Sequence, residues 1–235
     1  METEILNIDY NKYVNLLGTA HFTRRSLSEA YEAVRKLKPT DLAVELDMQR
    51  FQFLNRRCAF CPEREFCTGR CEFVGAVDAL GNVNANVWLI DMSEKEIAMR
   101  VRRLLPPSRL WWFSLVSFPF WRGRSDDEVW LWERGYKDEV LNRYARRLEA
   151  LRARAPHVWR VLIDERNALM AARLAWIVTQ KLNKGEEVKV LALTGAAHVI
   201  GISGLLGTPV QIREELQELG LRFTVPRLIR RISVN

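Results

Sequence analysis

Histidine and cysteine are scarce in this chain, at three and four of 235 residues. Lysine is scarce too: of 36 basic residues only 8 are Lys and 28 are Arg. No uninterrupted apolar run approaches the roughly 18 residues of a membrane-spanning helix. The longest candidate, Leu110–Trp121 (LWWFSLVSFPFW), is short and contains Pro119. The first ten residues, METEILNIDY, lack a basic start and an apolar stretch, so no secretory signal is expected there and the chain reads as cytosolic. With 48% apolar residues, disorder is excluded as a general state and one sizeable core is expected. Net charge is +7, but the Arg residues are spread along the chain and interleaved with Glu and Asp. That pattern reads as a salt-bridged surface. No nucleic-acid motif accompanies the charge, so a nucleic-acid partner is disfavoured.

Short apolar runs ended by Gly or turn residues read as buried strands over Tyr13–Leu17, Leu42–Leu46, Val87–Asp91 and Val188–Leu193. Helical stripes lie between them. Ser26 and Ser28 offer caps for a helix ending at Leu37, Asp47 for a short helix to Leu54, and Ser93 for one to Leu105. Asp126–Arg154 reads as one long charged helix, Val158–Leu182 as another, and Ala197–Leu206 and Val210–Leu219 as two more. A last strand is expected over Arg222–Val225. Alternating strands and helices predict a single α/β domain over 1–235, with a mixed sheet flanked by helices. Residues 106–155 form a helical arm in this reading, and 56–72 a Cys-rich insertion.

Two of the three histidines occupy the same place in a repeated unit. Gly18-Thr19-Ala20-His21 follows one strand, and Gly195-Ala196-Ala197-His198 another. Glycine lets the backbone turn sharply at a strand end. Ligands of open α/β sheets gather at the C-terminal ends of strands. Imidazole is a common metal ligand and a near-neutral base. His21 and His198 are therefore expected in one polar site, with Gly18, Thr19 and Gly195 lining it for substrate. Glu45 is a charged residue in an otherwise apolar strand, which calls for an ion pair or a ligating role. Asp47 and Arg50 follow it. Glu165 and Arg166 interrupt an apolar helix face, and Asp91 closes the strand VWLID. A buried pair between Glu45 and Arg50 or Arg166 is the plain structural alternative.

Five segments carry a resemblance: LGTAH (17–21), VELD (44–47) with Arg50, LID (89–91), DERNALM (164–170) and TGAAHVIGI (194–202). In this order the chain resembles the TraB/PrgY family, which also contains the Tiki proteins. The resemblance implies an α/β fold akin to the erythromycin-esterase and ChaN-like proteins. It implies a metal-dependent, peptidase-like hydrolase in which His21 and His198 bind a divalent ion (Mn, Co or Zn) and Glu45 binds metal or activates water. Arg50, Glu165 and Arg166 join Glu45 as candidate catalytic residues. A module that captures a peptide without cleaving it is the alternative. The chain departs from the family in ending at Asn235 without membrane helices and in having Met92 after Asp91.

Cys58, Cys61, Cys67 and Cys71 use every cysteine in the chain. Four thiolates in one short segment suit tetrahedral zinc or a 4Fe-4S cluster, with two disulfides as the alternative. The aromatic run at 110–121 reads as core, dimer seam, partner groove or membrane-surface contact. The helix after it is long enough to pack on a second copy, so a homodimer is expected.

Overall fold

The computed structural model describes residues 5–21, 23–59, 72–81, 85–104 and 126–229. Five strands form one sheet in the order β1-β4-β2-β3-β5. These are β1 (Val14–Thr19), β2 (Asp41–Val44), β3 (Asn86–Leu89), β4 (Val190–Gly195) and β5 (Arg227–Ile229). The first four run parallel, and β5 joins β3 antiparallel. The sheet is therefore mixed and helix-flanked, as the alternation of elements predicts.

Parallel strands covered on both faces read as near-continuous apolar runs, and β4 (VLALTG) is buried at every position. On one face Ala43, Val190 and Ala192 pack against Met170, Leu174 and Val178 and against Ile202 and Ile212. On the other, Leu42, Val44, Leu191 and Leu193 pack against Ala30, Val34, Phe73 and Val77. Each fully buried Leu, Ile or Val contributes about 1.5–3 kcal/mol, so burial at the sheet centre is a large share of what stabilises the described core. The helices before the arm are α1 (Arg24–Leu37), α2 (Met48–Ala59), α3 (Glu72–Leu80) and α4 (Glu94–Leu104), the last packing through Val101 on a small separate cluster with Leu151 and Val158. After it come a short α7 (Pro156–Trp159), a π-helical turn (Arg160–Glu165), α8 (Arg166–Leu182), α9 (Ala196–Gly207) and α10 (Pro209–Glu218).

Several boundaries differ from the sequence reading, each for a local reason. Thr23, not Ser26 or Ser28, caps α1, its side chain accepting from the Ser26 N–H. Strand β2 stops at Val44, so Glu45 stands just beyond its end, where its N–H still donates to Leu193 O at 3.0 Å. The long arm helix is two helices, α5 (Asp126–Glu133) and α6 (Lys137–Arg154), divided at Gly135 with φ +93°. Segment 222–225 is not in the sheet. The Arg173 guanidinium donates to Thr224 O and Oγ1 at 3.0 and 2.6 Å, so side-chain bonds replace a ladder there. Helix α2 runs on through Cys58 to Ala59. Cys61, Cys67 and Cys71, with most of the Cys-rich segment, and the aromatic run at 110–121 lie outside the described residues. Among the described residues, no helix is long and apolar enough to cross a membrane.

Candidate functional site

The register of β1 on β4 explains why the two Gly-x-x-His units meet. Gly18 pairs with Thr194 and Thr19 with Gly195, so both strands end at one level. A Cβ on Gly18 would sit 2.8 Å from Val199 Cγ2 and 3.1 Å from Ala196 Cα. Gly18 is thus a packing glycine that lets α9 approach β1. Gly195 has another role. A Cβ there would stand 3.0 Å from His21 Nε2, 3.4 Å from Glu45 Oε2 and 3.6 Å from His198 Cδ2. The three groups converge on the space its missing side chain leaves.

Each imidazole is held by its Nδ1. His21 Nδ1 lies 2.7 Å from Glu72 Oε1 and 3.2 Å from Thr19 Oγ1. His198 Nδ1 lies 2.7 Å from Asn167 Oδ1. A carboxylate oxygen and an amide oxygen are acceptors, so both Nδ1 atoms carry the proton and donate. In the neutral ring of either histidine the lone pair then falls on Nε2. His198 Nε2 lies 3.6 Å from Glu45 Oε1. This is the arrangement by which an outer acceptor fixes the tautomer and ring orientation of a ligating or basic histidine.

Glu45 is buried between them and doubly held. Its Oε2 accepts from the Gly195 N–H at 2.5 Å, and its Oε1 accepts from Arg166 Nη2. Arg166 also grips Asp91, with Nε donating at 2.9 Å to Oδ1 and Nη2 at 2.7 Å to Oδ2. Arg50 bridges Asp91 and Asp47 at 2.6 and 2.8 Å and reaches Met92 O at 3.1 Å. Burial alone would raise the Asp91 carboxyl, but Arg166 and Arg50 outweigh it and hold it well below the usual carboxylate range. Burial would raise Glu45 as well; positive charge around it, from His198 and His21 when they are protonated and from Arg166 throughout, holds it below its ordinary value. Burial, helped by Arg166 and His21, depresses His198 against the pull of Glu45, which keeps its ring neutral near pH 7.

Around these groups lies a cavity of about 350 Å³. It is lined by Thr19, His21, Glu45, Arg50, Arg166, Gly195 and His198 among the residues expected from the sequence. Glu165 stands apart. Its carboxylate faces Arg100 and, at 3.3 Å, Arg160, and it does not line the cavity. Arg50 and Arg166 are committed to internal carboxylates, so their visible work is to position Glu45 and Asp91. Asp91 anchors both guanidiniums as well as accepting from the Met92 N–H at 2.7 Å. Glu72 and Asn167 are the residues that sequence reasoning missed.

The resemblance implies a divalent ion here. The donor set fits one chemically, with two imidazole Nε2 lone pairs and a carboxylate around the cradle that a Gly195 Cβ would fill. As the side chains stand, no three His, Cys, Asp or Glu among the described residues close on one point.

No family model matches the chain. It is similar to "Uncharacterized protein MJ1365" of Methanocaldococcus jannaschii, at 25% identity over 221 residues covering 80% of this chain. The chain spans about half the length of that curated relative, 52%.

Proposed function

We propose that the chain is a metal-dependent hydrolase acting on amide bonds, peptidase-like, at the cavity shared by His21, Glu45 and His198. The observation that supports it best is the tethering of both imidazoles at Nδ1, which turns two Nε2 lone pairs into one cavity beside a buried carboxylate. His21 Nε2, His198 Nε2 and Glu45 would hold the ion. When bound, such an ion acidifies its water and polarises a carbonyl.

The chain's own residues set the conditions. Glu72 keeps the His21 proton on Nδ1 and offsets positive charge arriving at that ring. Asn167 does the same for the tautomer of His198 without adding charge. Arg166 keeps Glu45 ionised, and Asp91 keeps Arg166 in place. The resemblance to the TraB/PrgY family supports a peptide substrate and a ChaN-like form of the α/β fold. The same reading assigns zinc or a 4Fe-4S cluster to Cys58, Cys61, Cys67 and Cys71, a cytoplasmic location, and a homodimer built on the arm.

One observation favours peptide capture as the second reading: both Glu45 oxygens already have donors. The test is turnover of a library of N-acetylated peptide amides by the 235-residue chain reconstituted with Mn, Co or Zn. Cleavage lost in His21→Ala and in His198→Ala supports hydrolysis. Binding without cleavage, retained in both variants, supports capture.

A further inference from the structure

The cavity has a second wall that the chemistry leaves unused. Its floor is polar, made by His21, Glu45, Arg166 and His198, while Trp132, Val140, Leu141 and Tyr144 close it from α5 and α6. The last three are spaced i, i+1, i+4, which puts them on one side of α6. Lys137 and Arg147 border the same side of α6, but each is engaged, Lys137 with Glu29 and Arg147 with Glu128, so the surface between them that faces the site is made by uncharged side chains.

The wall is pinned. Trp132 is only 1% exposed, and its Nε1 donates to Ser26 Oγ at 3.2 Å. The Glu133 carboxylate accepts from the N–H groups of Arg24 and Arg25 at 2.5 and 3.0 Å, capping the first turn of α1. Lys137 Nζ meets Glu29 Oε2 at 2.5 Å. These ties fix the wall to α1, the helix that begins just after His21. Glu128 also lines the cavity and is ion-paired with Arg147, so the cation at that edge is already engaged when an acidic side chain enters.

We infer that this wall selects the substrate. The site takes a compound with an uncharged apolar side chain beside the carbonyl presented to the histidines, and Trp132, Leu141 and Tyr144 determine that preference. The carbonyl's role rests on the hydrolase reading; the apolar preference is a property of binding alone. A volume of about 350 Å³ lies at the low end of small-molecule sites. It holds one such side chain and the atoms around its carbonyl, and any longer chain extends outside.

Calorimetric binding of the N-acetyl amides of Leu, Phe, Ala and Asp, with turnover followed in the same samples, tests this. The Leu and Phe amides are expected to bind about tenfold tighter than the Ala amide, with the Asp amide weakest. Leu141→Trp, which fills the cavity, should erase the preference for Phe over Ala. Tyr144→Ala, which widens it, should shift the preference from Leu towards Phe. The wild-type ranking decides the matter even where a variant fails to fold. Equal binding of the four amides, no binding, or an Asp amide that binds tightest overturns the inference. The expected ranking without turnover upholds the wall and overturns the hydrolase reading. Turnover indifferent to the side chain does the reverse.

Discussion

Glu72→Gln isolates the outer support of His21 with the smallest change of shape. Glu72 is buried at the start of α3, and its Oε1 accepts from His21 Nδ1 at 2.7 Å. A charge-assisted hydrogen bond of this kind contributes about 1.5–3 kcal/mol, or roughly 10- to 150-fold in a rate that depends on it. The amide brings a second effect. Its NH2 group can face Nδ1, which drives the ring proton to Nε2 and blocks the lone pair that faces Gly195. Loss of the correct tautomer costs about 10⁴-fold in the serine-protease triad, so the total expected here is a fall of about 10²–10⁴ in kcat with little change in KM. The tautomer can be read without any substrate, from ¹⁵N chemical shifts of histidine-labelled protein. Wild-type His21 should show a protonated Nδ1 and an unprotonated Nε2, and E72Q should reverse or mix them. An unchanged tautomer together with turnover within twofold of wild type would refute the reasoning.

Other substitutions probe the same centre. Gly201→Ala should loosen His198 at a distance, because a Cβ there would lie 2.3 Å from Asn167 Nδ2 and force Asn167 off the ring. A lost His198–Asn167 correlation in NMR, with unfolding free energy lowered by about 1–3 kcal/mol, is the expected reading. Gly195→Ala should abolish turnover and affinity for any divalent ion while leaving the fold intact, since its Cβ would crowd His21 Nε2 at 3.0 Å; ordinary turnover in this variant contradicts the cradle. Arg166→Ala strips Asp91 and Glu45 of their shared partner and should cost about 3–5 kcal/mol by urea unfolding. The folded Asp91 carboxyl is held below its unfolded value, so its stabilisation is full above about pH 4 and lost as pH falls through that region towards the folded value. Asp91→Asn should therefore flatten the acid limb of the stability curve while lowering stability at pH 7.

The sheet and the paired histidines were legible because they depend on local pattern. Short apolar runs bounded by turn residues are a strand signal, and two equal units at strand ends can meet if the strands are neighbours in register, as β1 and β4 are. Glu45 was legible as a charge among apolar residues. Glu72 was not, because it lies 51 residues from His21 and behind the Cys-rich segment, where nothing local marks it as a partner. Asn167 sat in plain view beside Arg166, and a polar side chain within a buried helix face was the signal that could have singled it out. Glu165 gave the same kind of signal and went elsewhere, because the helix turns it towards Arg100 and Arg160 instead of the cavity. The break at Gly135 and the edge strand Arg227–Ile229 depend on backbone geometry and tertiary pairing that short windows do not contain.

Divalent-metal binding measures most directly whether His21 and His198 work as one site through their Nε2 atoms. The anaerobically purified chain should take up one histidine-dependent equivalent of Mn, Co or Zn, beyond any held by the cysteines. His21→Ala and His198→Ala should each remove that equivalent. Metal content and affinity identical in the wild type and both single variants would contradict it.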